Sequence, residues 1–140
     1  MINLINIFES FLIGICIGSF INVVIYRFPN DISFITPRSF CPKCKHKISW
    51  RENIPLISWI IQKGKCLNCN QKISIRYPIL ESATGILFVL SRLASPNIYS
   101  SINYNFLETL FGWFFIALLL VISFIDIKYF YGEYLDKEFS

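Results

Sequence analysis

Charge is scarce in this chain. Only 16% of its 140 residues are Asp, Glu, Lys or Arg, against 54% hydrophobic. No Lys or Arg occurs between Met1 and Tyr26. With fourteen phenylalanines and a positive mean hydropathy, that balance excludes an ordinary soluble globular domain. A cleaved secretory leader needs a basic start and a shorter apolar run, so the first apolar block is expected to stay as an anchor. No glycine-rich loop follows a strand pattern, which leaves no visible Rossmann-type site. No thioredoxin-like βαβ pattern surrounds the cysteines, which argues against dithiol redox chemistry.

What is present is organised around four cysteines. Cys41-Pro42-Lys43-Cys44 is followed, twenty-one residues later, by Cys66-Leu67-Asn68-Cys69. Two C-x-x-C turns can each aim two sulfurs at one ion, and together they close a tetrahedral shell with no open position. The expected site is therefore structural, with zinc as the metal and iron as the alternative. Cys-x-x-Cys-x-x-Lys-Ile-Ser occurs twice, over Cys41–Ser49 and Cys66–Ser74. Each copy reads as a knuckle leading into a short β-like segment, so the module looks like a zinc ribbon.

Four thiolates leave a net charge near −2 on the site. Lys43, Lys45, Lys47, Lys63, Lys65 and Lys72 crowd the motif, and are expected to offset that charge and lower the thiol pKa values. So small a module cannot bury a real core, and metal binding at about 10–16 kcal/mol supplies most of its folding free energy. Two disulfides are the competing reading. The lysine-rich flanks favour a reducing, cytosolic location and hence the metal. His46 is either a spare ligand or, with four thiolates at hand, a solvated loop residue. Cys16 lies inside an apolar block and reads as packing.

The hydrophobic residues fall in blocks of membrane-spanning length. Residues 4–26 form the first, and at 1.5 Å per residue 23 residues cover about 34 Å. Glu9 lies near its outer end, within reach of water. Gly14 and Gly18 share a face with Ser19 and would admit another helix closely, unless they merely reflect the abundance of glycine in membrane helices. Asn22 is expected to face protein rather than lipid. Residues 77–94 form a second span that carries Glu81, Ser82, Thr84 and Arg92. Glu81 is either a functional carboxylate or the partner of Arg76 or Arg27 in an interfacial ion pair. Residues 95–105 read as a turn-rich outer loop, and residues 106–125 as a third span delivering Asp126, with Lys128 just beyond.

Residues 27–76 hold ten of the thirteen Lys and Arg, against only Asp31 and Glu52. The positive-inside rule places this segment in the cytoplasm and the N-terminus outside. Its basic charge reads as a solvated surface with a weaker attraction to anionic lipid. Nucleic acid is not expected as a partner, because most of the lysines surround the metal and the module is held at a membrane. Between the knuckles, Trp50, Trp59 and the apolar run 54–61 are too greasy for a free loop. They are expected to pack on the ribbon or lie at the membrane surface, and Gly64 marks the turn into the second knuckle. The expected fold class is thus an α-helical integral membrane protein of about three transmembrane helices with a small cytoplasmic four-cysteine zinc-ribbon insert, ending in a cytoplasmic tail over 126–140.

Several motifs, taken together, resemble the prepilin peptidases, or type IV leader peptidases. The matching residues run Gly18-Ser19-Phe20-Ile21-Asn22-Val23-Val24-Ile25-Tyr26-Arg27 and Pro37-Arg38-Ser39-Phe40-Cys41-Pro42-Lys43-Cys44. They continue with Asn53-Ile54-Pro55-Leu56-Ile57-Ser58-Trp59, Gly64-Lys65-Cys66 with Cys69, Ile75-Arg76-Tyr77-Pro78 with Glu81, and Ile125-Asp126-Ile127-Lys128. The resemblance implies a bacterial inner-membrane aspartic protease that removes the basic leader of type IV prepilins and type II secretion pseudopilins. It also implies N-methylation of the new N-terminus with S-adenosylmethionine, a cofactor inferred from the resemblance alone.

The family uses two aspartates. The first matches Asp126, and the second belongs to a Gly-x-Gly-Asp motif that does not occur in these 140 residues. A Pro-Asp or Pro-Asn pair is also expected near Glu133 and Tyr134, where this sequence has neither. A truncated or frameshifted reading frame would account for both departures. Proteolysis of this type needs one carboxylate to take a proton from water and a second, protonated one to activate the carbonyl. Asp136 is ten residues on, about 15 Å along a helix, too far to share a proton with Asp126. Glu81 is the sole candidate for an in-chain partner. The isolated chain is therefore expected to have little or no peptidase activity and to need a C-terminal peptidase half. The alternative is a non-catalytic, membrane-anchored zinc-ribbon protein, a degenerate paralogue or an assembly partner.

Overall fold

The computed structural model describes residues 4–33, 36, 38–41, 43–94 and 102–138, with the side chains of the last stretch described over 107–127. It is built from helices. Helix α1 spans Leu4–Arg27, the short α2 spans Ile57–Ile61, α3 spans Arg76–Ala94 and α4 spans Ile102–Glu138. Single 3-10 turns occupy Phe28–Asn30 and Arg51–Asn53. Arg27 ends α1 because Pro29 follows at the start of the turn, and a proline cannot continue the hydrogen-bond ladder.

Helices α1 and α3 approach almost to backbone contact. A Cβ built on Gly14 would lie 2.6 Å from the Cα of Gly85, and one on Gly18 would lie 2.9 Å from the Cα of Glu81. On the other side, a Cβ on Gly85 would meet the Phe11 ring at 2.8 Å. The glycines at 14 and 18 are therefore contact residues, and the close-approach reading of that face is correct. Polar residues on the same helices are satisfied locally. The hydroxyls of Ser10, Ser82 and Thr84 each donate, at 2.7 Å, to the carbonyl four residues earlier, which lets them sit in an apolar layer without an orphaned group.

Helix α4 closes the third side. Ile21, Ile25 and Leu80 form a buried cluster, covered by Ala117, Leu120, Val121, Phe124 and Ile125 of α4. Nearer its start, the Trp113 ring stacks on Phe88 at 4.9 Å between centroids, and its Nε1 donates to the Phe88 carbonyl at 3.1 Å. The opposite face of α4 leaves Phe111, Phe114 and Phe115 exposed, as a lipid-facing surface does. Two helical stretches, Leu4–Asn30 and Leu107–Ile127, are long and apolar enough to cross a membrane. Helix α3, which holds Arg76, Glu81 and Arg92 in nineteen residues, is not among them.

Helix α4 departs from expectation at both ends. It begins at Ile102 rather than 106, so residues 102–105 are helix and not loop, and it runs through Asp126 to Glu138. No proline occurs after Pro96 to stop it, and Gly132 is a tolerated interruption costing about 1 kcal/mol. At 37 residues it is about 55 Å long. The turn expected over 95–101 lies outside the described residues.

The cysteine module connects α1 to α3. Its arms repeat each other in backbone as in sequence. The Cys41 N–H donates to His46 O and the Cys66 N–H to Gln71 O, both at 2.9 Å, and the N–H groups of Lys45 and Asn70 return to Cys41 O and Cys66 O at the same distance. Each arm closes on one antiparallel bridge, Phe40 with Lys47 and Lys65 with Lys72. The described residues hold no longer ladder, so the expected β segments reduce to single pairs. Lys45 and Asn70 occupy equivalent places and both have positive φ, 57° and 55°.

Because Gly14 faces backbone while a Cβ on Gly112 meets only the Ser91 hydroxyl at 2.8 Å, two alanine variants should separate. In detergent, thermal unfolding of Gly14→Ala should report a loss of about 1–3 kcal/mol, whereas Gly112→Ala should stay near wild type. Lys45→Asn should raise stability by about 0.3 kcal/mol or more, since asparagine tolerates the left-handed region better; thermal melts of the two proteins check this.

Candidate metal centre and functional site

The two knuckles bring four sulfurs to one point. Sγ of Cys41 lies 3.8 Å from Sγ of Cys69, Sγ of Cys44 lies 3.9 Å from Sγ of Cys66, and all four lie within 4.8 Å of one another. Metal–sulfur bonds of about 2.3 Å in a tetrahedron give edges of about 3.8 Å, so the donor set fits one divalent soft ion such as zinc. A disulfide would bring the sulfurs to about 2 Å, and all five cysteines are free thiols. The pairs cross between arms, so an ion here ties the two halves of the module together.

The electrostatics differ between ligands. The Asn68 side chain and the His46 backbone N–H hold the Cys44 thiol down at about 6. For Cys69, the Gln71 backbone N–H favours the thiolate, yet burial and the thiols of Cys44, Cys66 and Cys41 push it up to about 11. Four adjacent thiols cannot all ionise without a cation. The lysines play a smaller part than expected. Lys43 Nζ donates to Gln71 Oε1 at 3.0 Å, bridging the arms, and Lys45 sits over the Phe40 ring at 5.1 Å. Hydrogen bonds, not lysine charge, lower the Cys44 thiol.

His46 is not a fifth ligand. Its Nε2 lies 3.4 Å from Glu52 Oε1. The other Glu52 oxygen accepts the Ser49 backbone N–H at 2.7 Å, and Ser49, followed by His46, holds this carboxyl below the usual carboxylate range. The sequence carried a signal for this in Ser49-Trp50-Arg51-Glu52, the S-x-x-E pattern of a capping box. Of the two tryptophans in the linker, one packs on the module as expected and the other is exposed. Trp59 packs on the module, its ring against Gly64 and its Nε1 donating to Ile73 O at 3.3 Å. Trp50 is 73% exposed, with Arg51 over its ring at 5.2 Å.

Where the module meets the helices, three polar side chains are held on rigid elements. Glu81 is only 6% exposed and pairs with neither Arg76 nor Arg27. Its Oε2 accepts the backbone N–H of Leu56 at 2.8 Å, and the Ser19 side chain lies beside the same carboxylate. Leu56 needs that anchor, since its φ of 61° and ψ of −51° lie in a region that costs a non-glycine residue about 1–3 kcal/mol. Asn22, 1% exposed, donates Nδ2 to Tyr77 O at 3.3 Å, so it faces protein as expected. Neither Leu56 nor Ser19 carries a sequence signal as a Glu81 partner, because both contacts join residues far apart in the chain.

Asp126 is exposed on α4, in the last turns of its apolar stretch. Phe124 and Ile125 pack against the cluster of Ile21, Ile25 and Leu80 near the module end of α1 and α3, so Asp126 stands at the same end of the bundle as the cysteine module. No hydrogen bond or ion pair joins it to Glu81 among the described residues. The side chains of Lys128 and Asp136 lie outside the described residues.

Two helices long and apolar enough to cross a membrane, joined to a four-cysteine cluster that could hold a metal ion, mark a mostly helical protein of the membrane type. The family model of the bacterial peptidase A24 N-terminal domain matches residues 12–95, and the chain belongs to that family. A prepilin leader peptidase/N-methyltransferase of Myxococcus xanthus (strain DK1622) is 53% identical over 78 residues, covering 56% of this chain and 23% of that protein. Proteins of the same name from Klebsiella pneumoniae and Bacillus subtilis (strain 168) are 42% and 37% identical, covering 83% and 85% of this chain and 50% and 45% of their own lengths. The chain thus spans half or less of the length of these curated relatives. No solved structure matches it.

The site should hold one zinc ion per chain. Protons compete with the ion for thiolates, so affinity should fall as pH falls. Metal analysis after dialysis at stepped pH should show about one ion retained at neutral pH and loss on acidification. Cys66→Ser should retain far less metal and unfold the module.

Proposed function

We propose that this chain is the membrane-bound N-terminal part of an aspartic endopeptidase that removes the basic leader of type IV prepilins and type II secretion pseudopilins. In this reading α1, α3 and α4 cross the bacterial inner membrane with the N-terminus outside and the cysteine module in the cytoplasm. The basic charge of residues 27–76 supports that orientation. Zinc fills the four-thiolate shell and holds the module in shape. Asp126 supplies one carboxylate of the proton-sharing pair.

The observation that carries the reading is the place of Asp126, exposed beside the module end of α1 and α3, in a chain whose residues 12–95 match the family. One carboxylate can take a proton from water, but the second must enter from elsewhere. Glu81 does not fill that role, since no hydrogen bond or ion pair joins it to Asp126 among the described residues. A C-terminal peptidase half carrying the second aspartate is the implied partner. The names of the relatives add N-methylation to the activity proposed for the assembled enzyme, and the family resemblance implies S-adenosylmethionine as the donor.

The test is complementation. The isolated chain should leave a prepilin reporter uncut in membranes. Co-expression with a C-terminal half bearing Gly-x-Gly-Asp should restore cleavage, and Asp126→Asn should lower the restored rate by about 10²-fold or more. Restored cleavage that ignores Asp126→Asn would instead favour a non-catalytic, membrane-anchored metal knuckle that serves as an assembly partner.

A further inference from the structure

A cavity of about 380 Å³ lies between the metal knuckles and the helix ends. That volume is in the range of a small-molecule site. Ser19, Asn22, Tyr26, Trp59, Tyr77 and Glu81 are among the residues that line it. Its walls are largely apolar and aromatic; on the helix side Glu81 and Asn22 place acceptors beside the Arg27 guanidinium and the Tyr26 and Tyr77 hydroxyls, and Lys72 and His46 border it from the module.

Two of those acceptors have capacity left. Asn22 gives Nδ2 to Tyr77 O, and its Oδ1 is buried with no hydrogen-bond partner. The amide cannot turn over to relieve this, because Oδ1 would then face the Tyr77 carbonyl, acceptor against acceptor. A carboxylate offers about four lone-pair positions. Glu81 uses one position on Leu56, and no cation pairs with it among the described residues. Arg27 also borders the cavity, but its Nη1 is spent on the Ser33 carbonyl at 2.7 Å. A buried carboxylate without a counter-ion and a buried carbonyl without a donor both favour a ligand with positive charge and several N–H bonds. Tyr26, Trp59 and Tyr77 offer ring surface of the kind that attracts an organic cation.

We propose that this cavity binds a primary ammonium group, with Glu81 as its counter-ion and Asn22 Oδ1 as a second acceptor. An ammonium has three donors, which suits two acceptors on facing helices, while the apolar wall takes the organic part of the ligand. The ammonium comes either from a peptide N-terminus or from the aminoacyl end of S-adenosylmethionine. The choice of these probes rests on the methylation part of the proposed function. The site itself does not use Asp126, so failure of prepilin cleavage and failure of amine binding are separate results.

The experiment is titration calorimetry on the full zinc-loaded chain in detergent micelles. One arm uses Leu-Ala-Leu amide against its N-acetylated form. The other uses S-adenosylmethionine against 5′-methylthioadenosine, which lacks the aminoacyl end. The expected result is binding in at least one arm, with the amine-free counterpart at least tenfold weaker. Glu81→Gln should weaken the same probe at least tenfold while retaining its zinc, because the glutamine carbonyl can still accept the Leu56 N–H. Binding only in the first arm identifies a peptide terminus as the source, and binding only in the second identifies the sulfonium donor. No binding in either arm, equal binding of the amine-free counterparts, or unchanged affinity in zinc-loaded Glu81→Gln would each overturn the proposal. Should Glu81→Gln lose its zinc, the comparison of amine and amine-free probes on the native chain decides alone.

Discussion

The contact between α1 and α3 is the constraint on which the rest of the structure depends. Gly14, Gly18 and Gly85 let two backbones meet where any side chain would hold them apart. Because α1 leads into the cysteine module and α3 leads out of it, that contact brings the two ends of the intervening segment together. The segment is then closed twice, by the helix pair at its base and by sulfurs that pair across the arms. A stretch too short to bury a core of its own needs both closures, since each removes chain entropy that its few apolar contacts could not offset.

The polar residues at this junction follow from the same contact. Glu81 sits over Gly18, so its carboxylate lies beside Ser19 one position along. From there it reaches the Leu56 N–H and fixes the linker that carries Trp59. Trp59 in turn packs on Gly64, whose positive φ turns the chain into the second knuckle. A continuous path thus runs from the interhelical contact to the metal ligands. On the far side, Phe124 and Ile125 of α4 pack against the cluster of Ile21, Ile25 and Leu80, and so set the height at which Asp126 emerges.

Local features were legible in the sequence. The paired C-x-x-C turns, their repeat, the apolar blocks and the small-residue face of α1 each depend on spacing within one element, and spacing is visible without a structure. What was not legible arises between elements. Nothing in residues 50–61 announces that Leu56 adopts a positive φ, because its anchor is a carboxylate twenty-five residues away. The Glu81 ion pair was a reasonable guess from charge alone, but depth in the bundle puts a backbone N–H nearer than any guanidinium. The apolar stretch of α4 was legible, but the helix beyond it was not, because a charge at Asp126 reads as the end of an apolar run and says nothing of where the helix stops. A helix ends where its backbone is interrupted, and no proline follows.

The bond from Leu56 to Glu81 has a further consequence. It makes one carboxylate the shared partner of a strained backbone residue and of whatever occupies the neighbouring cavity. Two demands on the same oxygens are thermodynamically linked, and linkage is reciprocal. An occupant that strengthens the hold on Leu56 must bind more tightly when the linker is seated, and one that competes for the carboxylate must loosen it. The short helix α2, which presents Ile57, Ile60 and Ile61 outward, would then act as a lever whose resting position reports the state of the chamber beneath it.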